Sequence, residues 1–322
     1  MLNRLPAETR VRICLGVCTF GRPQMLHRCL TSLSRLETPP GCDVEIIVVD
    51  NHPTPIEQGI VDCFSHHGRP FHYVHERRRG IAQARNAILD KAMELRADFI
   101  AMVDDDQVAP PDWLETMWLA QQWSQADIVE SSVEYDYPDA LPLWAFPKSK
   151  KHRWKHSSDR AATNGVMFKA ELADLGGAGL RFDEAYALTG GEDREFFWRA
   201  HRWGARIVRT PQAVITEFIP ETKLTFSAQV ARSYWIAVVN ARQDVRFYGF
   251  IYAMLRKSFK ATHSLISGLL IVVYTPFAFL GDRTYGRCQL LRGSIRIAKA
   301  AGIAVGLTGV ARPEPYQTIH GG

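Results

Sequence analysis

The sequence predicts an α/β protein with a Rossmann-like, mostly parallel central sheet and flanking helices, followed by a basic, apolar helical region. Three observations carry that prediction. Short apolar runs alternate with stretches of helical periodicity over residues 13–215, the pattern of strands joined by crossover helices. Several runs stop abruptly at carboxylates, most plainly Ile100-Ala101-Met102-Val103 before Asp104-Asp105-Asp106. Such strand ends line the mouth of an open α/β sheet, where ligands bind. Charge then divides the chain: residues 228–322 hold 12 Lys and Arg against three acids, and the rest holds 27 against 31.

Taken in order, Ile13-Cys14-Leu15-Gly16-Val17-Cys18-Thr19 is a buried strand that enters the loop Phe20-Gly21-Arg22-Pro23. Met25, Leu26, Leu30 and Leu33 then recur at helical spacing across 24–36. Residues 44–49 are a second buried strand ending in Asp50-Asn51. His52-Pro53-Thr54-Pro55 breaks the chain before a short helix over 56–64. Phe71-His72-Tyr73-Val74 is a third strand. Ile81, Ala84, Ile88, Ala92 and Leu95 form the apolar stripe of a helix over 80–95, and 99–103 is the strand after it. Pro110-Pro111 opens another helix at Asp112-Trp113-Leu114. Residues 128–133 read as a strand, 135–158 as an irregular segment rich in Pro, Trp and Lys, and Gly165-Val166-Met167-Phe168 as a short strand. A helix with Phe196, Phe197 and Ala200 on one face follows Gly190, and Arg206-Ile207-Val208 and Ala213-Val214-Ile215 are two late strands. This alternation implies parallel pairing with right-handed crossovers.

The C-terminal section differs. Residues 265–280 are almost wholly apolar, interrupted by Gly268 and Pro276, and 297–310 are rich in Ala, Gly and Val. Crossing a bilayer takes about 20 apolar residues, more than this run supplies. Arg256, Lys257 and Lys260 precede it, and Arg283, Arg287, Arg292 and Arg296 follow it. Positive charge on both flanks opposes crossing. An interfacial or re-entrant hairpin on an anionic cytoplasmic leaflet fits better, with a buried helix of a soluble oligomer as the alternative.

Composition sets the class. At 322 residues, 46 % hydrophobic and 23 % charged, the chain is one large folded domain with an appendage. A mildly acidic body with a basic tail points to an anionic partner for the tail. Cys14, Cys18, Cys29, Cys42, Cys63 and Cys288 include no Cys-x-x-Cys pair, as expected of reduced, mostly buried thiols in a cytosolic setting. The histidines have no zinc-like partners; His66-His67 is loop-like, and His152 and His156 lie in a basic run. Residues 1–10 contain no apolar core of signal-peptide length, so the expected location is cytoplasmic.

Four strand-end features carry candidate chemistry. Asp104 and Asp106 lie two apart, where a turn bends both toward one ion. Hard oxygen ligands suit Mg2+ or Mn2+, which favour substrates that bring phosphates; a solvated acidic turn is the alternative. Asp50 ends the second strand, placed to accept a bond from a base or ribose. Gly80 with Arg85-Asn86 opens a helix whose N–H groups suit an anion, and Thr19, Phe20 and Arg22 belong to the first strand-to-helix loop, able to hold a nucleotide. Any of these can instead be a turn former. Finally, Thr189-Gly190-Gly191-Glu192-Asp193-Arg194-Glu195 sets acids at a helix start behind two glycines. They are either a carboxylate base at a flexible junction or a complement to the helix dipole.

The ordered set Thr19-Phe20-Gly21-Arg22-Pro23, Val48-Val49-Asp50-Asn51, Gly80 with Ala84-Arg85-Asn86, Val103-Asp104-Asp105-Asp106, Asn164-Gly165 and Gly191-Glu192-Asp193 resembles the family 2 glycosyltransferases over residues 11–220. The Asp-x-Asp motif alone is unspecific; its order and spacing with the Glu-Asp element are not. Ala213-Val214-Ile215-Thr216-Glu217 and the basic helical tail are most similar to the succinoglycan-type exopolysaccharide glucosyltransferases. Two departures stand out. Phe20-Gly21 replaces the Tyr-Asn type of pair in many members, and the Gln-x-x-Arg-Trp motif of processive members is absent, so one transfer per acceptor is expected.

The resemblance implies a GT-A fold over 1–226, a membrane-associated region over 227–322, and an inverting reaction. It implies that Asp104 and Asp106 hold Mg2+ or Mn2+ on the diphosphate of a UDP-sugar. Thr19, Phe20, Arg22, Asp50, Arg85, Asn86, Asp104 and Asp105 would form the donor site. Asp193 would take the acceptor's proton, with Glu192 orienting that base or touching the acceptor, and the acceptor would meet 144–156, Asn164 and Trp198. The implied product is a β-linked sugar, glucose above all, on a lipid-linked oligosaccharide or other glycan. Assembly of exopolysaccharide at the cytoplasmic face of the inner membrane is the implied setting, with no nucleic-acid partner. Three rivals remain open at this point. Asp104-x-Asp106-x-Val108 matches the nucleophile motif of haloacid-dehalogenase-type phosphatases, although that motif normally begins its domain. A sugar nucleotidyltransferase would need a longer glycine-rich first loop. A non-catalytic membrane-recruitment module would leave the carboxylates unexplained.

Overall fold

The computed structural model describes residues 10–65, 68–138 and 159–309. The readings for residues 1–9, His66-His67, 139–158 (with the acceptor segment 144–156) and the last residues lie outside them. One eight-stranded sheet runs β3-β2-β1-β4-β7-β6-β8-β5. β1 (Val11–Thr19) pairs in parallel with β2 (Cys42–Asp50) and with β4 (Phe99–Asp104), and β2 with β3 (Phe71–His75). The short β7 (Val166–Lys169) is antiparallel to both β4 and β6 (Ile128–Asp136). β6 pairs in parallel with β8 (Ile207–Phe218), and the two-residue β5 (Gln107–Val108) is antiparallel to β8. Four of the seven pairings are thus parallel. The reversal at β7 brings Asn164 beside the C-terminal end of β4.

Two helical layers cover the sheet, and the period of two along β1 assigns them. Ile13, Leu15 and Val17 face α1 (Pro23–Ser34), α2 (Gln58–Asp62) and α4 (Trp113–Ser124), with Leu26, Leu30, Val61 and Trp113 buried there. Cys14 faces the other way, toward α3 (Ile81–Glu94) and α5 (Glu192–Trp203), which bury Ile88, Phe196 and Phe197. Each such side chain contributes about 1.5–3 kcal/mol by leaving water. Gly16 lets α3 approach β1, because a Cβ there would meet Ile88 at 2.4 Å.

Two late strands were expected where one is found. Pro211 lies inside β8 and has no N–H for the ladder. The register slips there: Arg209 faces Glu130, and Val214 faces Ser132. The two expected strands are the halves of one bulged strand.

After α6 (Glu221–Leu224) come three long helices, α7 (Phe226–Tyr248), α8 (Phe250–Gly281) and α9 (Arg283–Thr308). The apolar run at 265–280 is only the second half of α8. Pro276 does not end the helix, and the preceding Thr275 hydroxyl donates to the Ile271 carbonyl at 2.8 Å. α9 packs against both neighbours, with Gly286 and Gly293 against α8 and Gly302 and Gly306 against α7.

Candidate active site

The register β2-β1-β4 aligns Thr19 with Asp50 and Cys18 with Asp104, so these strand ends share one edge of the sheet. A cleft of about 430 Å³ opens there. Of the residues singled out from sequence, Thr19, Phe20, Arg22, Arg85, Asp104, Asp105, Asp106, Asn164, Glu192 and Asp193 all line it. Asn51 sets the near rim: its side chain bonds the Glu76 and Arg78 carbonyls and accepts from the Gly80 N–H, each at 2.8 Å. That fixes where α3 begins. Phe20 packs against the His52 ring at 5.4 Å, with the Arg79 guanidinium 5.3 Å from its own centre.

The three successive aspartates do different things. Asp105 turns inward, accepting from the Thr19 hydroxyl and from Arg22 Nη1, both at 3.0 Å. Burial pushes its carboxyl up to about 7 against the pull of Arg22. It braces the first loop. Asp104 keeps 37 % of its side chain open to the cleft, with Arg85 Nη2 at 3.5 Å. Asp106 Oδ2 meets Lys223 Nζ at 3.2 Å and Arg22 Nη1 at 3.6 Å. Burial raises Asp104, Arg85 lowers it, and Asp106 and Asp193 raise it again.

Carboxylates that repel one another on one wall suit a cation. Among the described residues no three of His, Cys, Asp or Glu are grouped to hold a metal. The Asp104–Asp106 pair therefore fits Mg2+ or Mn2+ only with diphosphate oxygens and water completing the shell, a common arrangement for Mg2+.

Across the cleft, Glu192 is 3 % exposed. Its Oε1 takes a short ion pair from Arg85 Nη1, and its Oε2 has no hydrogen-bond partner. Burial pushes Glu192 up to about 7 while Arg85 pulls it down. Arg85 thus joins the Asp104 wall to the Glu192-Asp193 wall. Asp193 is half-buried, and its Oδ1 accepts from the Arg194 N–H at 2.6 Å. The left-handed Gly191, at φ 93°, turns the chain into α5.

Three expected site residues lie outside the cleft. Asp50 is fully buried, and its oxygens are taken by the His52 N–H at 2.9 Å, the Glu57 N–H at 3.1 Å and the Tyr73 hydroxyl at 2.9 Å. It shapes the loop that carries Asn51. Asn86 holds the Phe182 backbone by bonds of 2.9 and 2.8 Å. Trp198 stacks on Phe247 of α7 at 4.2 Å. Conversely, Arg79, Glu217, Lys223 and Arg232 line the cleft. In the sequence Glu217 stands out only as the end of Ala213-Val214-Ile215-Thr216-Glu217. Lys223 and Arg232 had no motif around them, since their place depends on how α6 and α7 fold back. Burial, then Asp106 and Asp104, push Glu217 up to about 7.

Residues 14–181 match the sequence profile of Glycosyl transferase family 2. The chain is also 30 % identical over 236 residues to succinoglycan biosynthesis protein ExoM of Rhizobium meliloti (strain 1021), covering 71 % of this chain and 74 % of that one. The chain belongs to glycosyl transferase family 2. For this family 2 glycosyltransferase, solved structures support a GT-A-like fold. One is mannosyltransferase PcManGT from Pyrobaculum calidifontis in complex with GDP-Man and Mn2+, with TM-score 0.57, 19 % identity, and 92 % and 87 % of the two chains covered. Another is S. aureus TarS 1-349 in complex with UDP-GlcNAc, with TM-score 0.56, 14 % identity, and 93 % and 91 % covered. The phosphatase, nucleotidyltransferase and recruitment readings give way to the family. The profile match ends at residue 181, so segments beyond it supply Glu192, Asp193, Glu217, Lys223 and Arg232 to the cleft.

Proposed function

We propose that this glycosyltransferase moves one sugar, glucose, from a UDP-sugar to a hydroxyl of a lipid-linked glycan, with inversion to a β-linkage, during exopolysaccharide assembly. The observation that carries the reading is the convergence of Asp104-Asp105-Asp106 and Glu192-Asp193 on one cleft, joined across it by Arg85. Asp104 and Asp106 hold Mg2+ or Mn2+ together with the donor's diphosphate. The ion, when bound, offsets charge on the departing diphosphate. Lys223 and Arg22, already on Asp106, add positive charge to the same wall. Phe20 offers its ring to the base.

Asp193 accepts the proton of the attacking hydroxyl through Oδ2, its Oδ1 being held by the Arg194 N–H. Glu192 holds Arg85 in place between the walls. Asn164 borders the acceptor's approach. Likeness to a succinoglycan biosynthesis protein supports a polysaccharide setting, and glucose follows the resemblance to succinoglycan-type glucosyltransferases. We further assign 1–226 to the catalytic domain and 227–322 to a region resting on the cytoplasmic face of the inner membrane. The test is a donor screen: UDP- and GDP-sugars, with Mg2+, Mn2+ or chelator, against extracted lipid-linked glycans. Mass spectrometry should show one hexose added from UDP-glucose, and NMR a β anomeric proton. An α product, or turnover with GDP-sugars alone, would overturn this reading.

A further inference from the structure

The apolar run at 265–280 belongs to a helix of 32 residues, Phe250–Gly281, whose most apolar stretch has mean hydropathy 1.9. That is long enough to cross a bilayer. Its neighbour argues against crossing. α9 runs antiparallel beside it in a steady register: Phe279 meets Gly286, Val272 meets Gly293, and Gly268 meets Ile297. By that register 265–280 lie against 285–300. Arg287, Arg292, Arg296 and Lys299 fall in that stretch, and all four are exposed. If α8 crossed, these cations would enter the hydrocarbon facing lipid, where charged side chains are strongly disfavoured.

The most exposed large apolar residues of α8 also lie on one side. Ile251, Leu255, Phe259, Leu270, Val273 and Phe277 are each 65–77 % exposed. At about 100° per residue they fall within an arc of about 100°. The residues that meet α9 lie opposite. Arg256 and Lys260, both exposed, lie beyond one edge of the apolar strip. An apolar strip with a cationic rim is the form of an interfacial helix.

We infer that α8 lies in the plane of a membrane with anionic headgroups, its strip among the acyl chains and the cations of α9 level with the phosphates. This rests on the membrane association proposed above. The test uses the full-length chain with nitroxide labels at Phe259→Cys or Phe277→Cys, in a Cys63→Ser, Cys288→Ser background whose unsubstituted parent supplies the blank. The two positions share a face and stand about 27 Å apart along the axis. Depth is read on vesicles of phosphatidylcholine with phosphatidylglycerol, and affinity is compared with phosphatidylcholine alone.

Equal depths are expected, with binding to anionic vesicles at least about tenfold tighter. Depths differing by most of the axial separation would overturn the in-plane arrangement and leave membrane association standing. Equal affinity for neutral vesicles would remove the cations from the contact. Labels that stay in water while the protein sediments as a dimer would assign the strip to a second copy and overturn the association itself.

Discussion

At the scale of single residues, adjacent side chains of like chemistry have different duties. Asp105 braces a loop while Asp104 and Asp106 face the cleft. Asp106→Ala is therefore expected to lower donor affinity by more than about tenfold, about 1.4 kcal/mol, and to abolish its metal dependence in calorimetry. Undiminished, metal-dependent binding would remove the pair from the donor site. Asp193→Asn keeps size and removes the proposed base, so turnover should fall about 10² to 10⁴-fold with donor affinity retained; near-normal transfer would move the base elsewhere. The sequence marked strand ends that line the cleft but not where each side chain points. Asp50 shows why. A strand-end aspartate reads the same whether its oxygens face solvent or are capped, as here, by the His52 and Glu57 N–H groups and Tyr73. Asn86 and Trp198, also expected at the site, likewise turn to other partners, the Phe182 backbone and Phe247.

At the scale of elements, the junction that carries Glu192 and Asp193 is gripped from outside its own helix. Gln243 of α7, fully buried, donates to the Gly191 carbonyl at 2.6 Å and accepts from Arg194 at 3.1 Å. Asp244 pairs with Arg194, and with Lys257 of α8 at 3.0 Å. Burial alone would raise the Asp244 carboxyl, but hydrogen bonds from Arg194 and Lys257 hold it below its ordinary 3.8. A depressed carboxyl contributes stability above its unfolded value and loses it as pH falls through the folded one. Asp244→Asn should thus cost about 3 kcal/mol at neutral pH. The gap in Tm between variant and parent should narrow below about pH 4 and persist from pH 5 to 7. A pH-independent gap would mean the loss is one of packing. None of this was visible in periodicity, which marks helices but not the partner each one finds. Strand pattern did better: β1, β2 and β4 were legible because each is a buried apolar run between clear breaks, and the half-buried β3 as a short aromatic run ending in Val74. β5 has two residues and offers no run to read.

At the scale of the whole molecule, the C-terminal helices are continuous with the cleft. Arg232 of α7 lines it, and α7 buries Ala237, Val238 and Ala241. Ending the chain at Phe226 should therefore abolish turnover and lower Tm, besides releasing the protein from anionic vesicles. A truncated form with normal kcat would make the helices a mere tether. Composition showed that the tail is basic and apolar. It could not show that the tail folds back, because that depends on contacts between distant segments.

The packing of α9 against both α7 and α8 has a last consequence. With α8 in the membrane plane, the packing of α9 against both α8 and α7 fixes the height of the cleft residue Arg232 over the bilayer. Height over the bilayer then becomes a measure of acceptor length. A glycan anchored in that bilayer must stand tall enough to bring its terminal hydroxyl to the cleft, and one that is too short never arrives, whatever its chemistry. A ladder of lipid-linked acceptors, lengthened one sugar at a time, should show transfer rising in a step. The same glycans cut free of their lipid should show none.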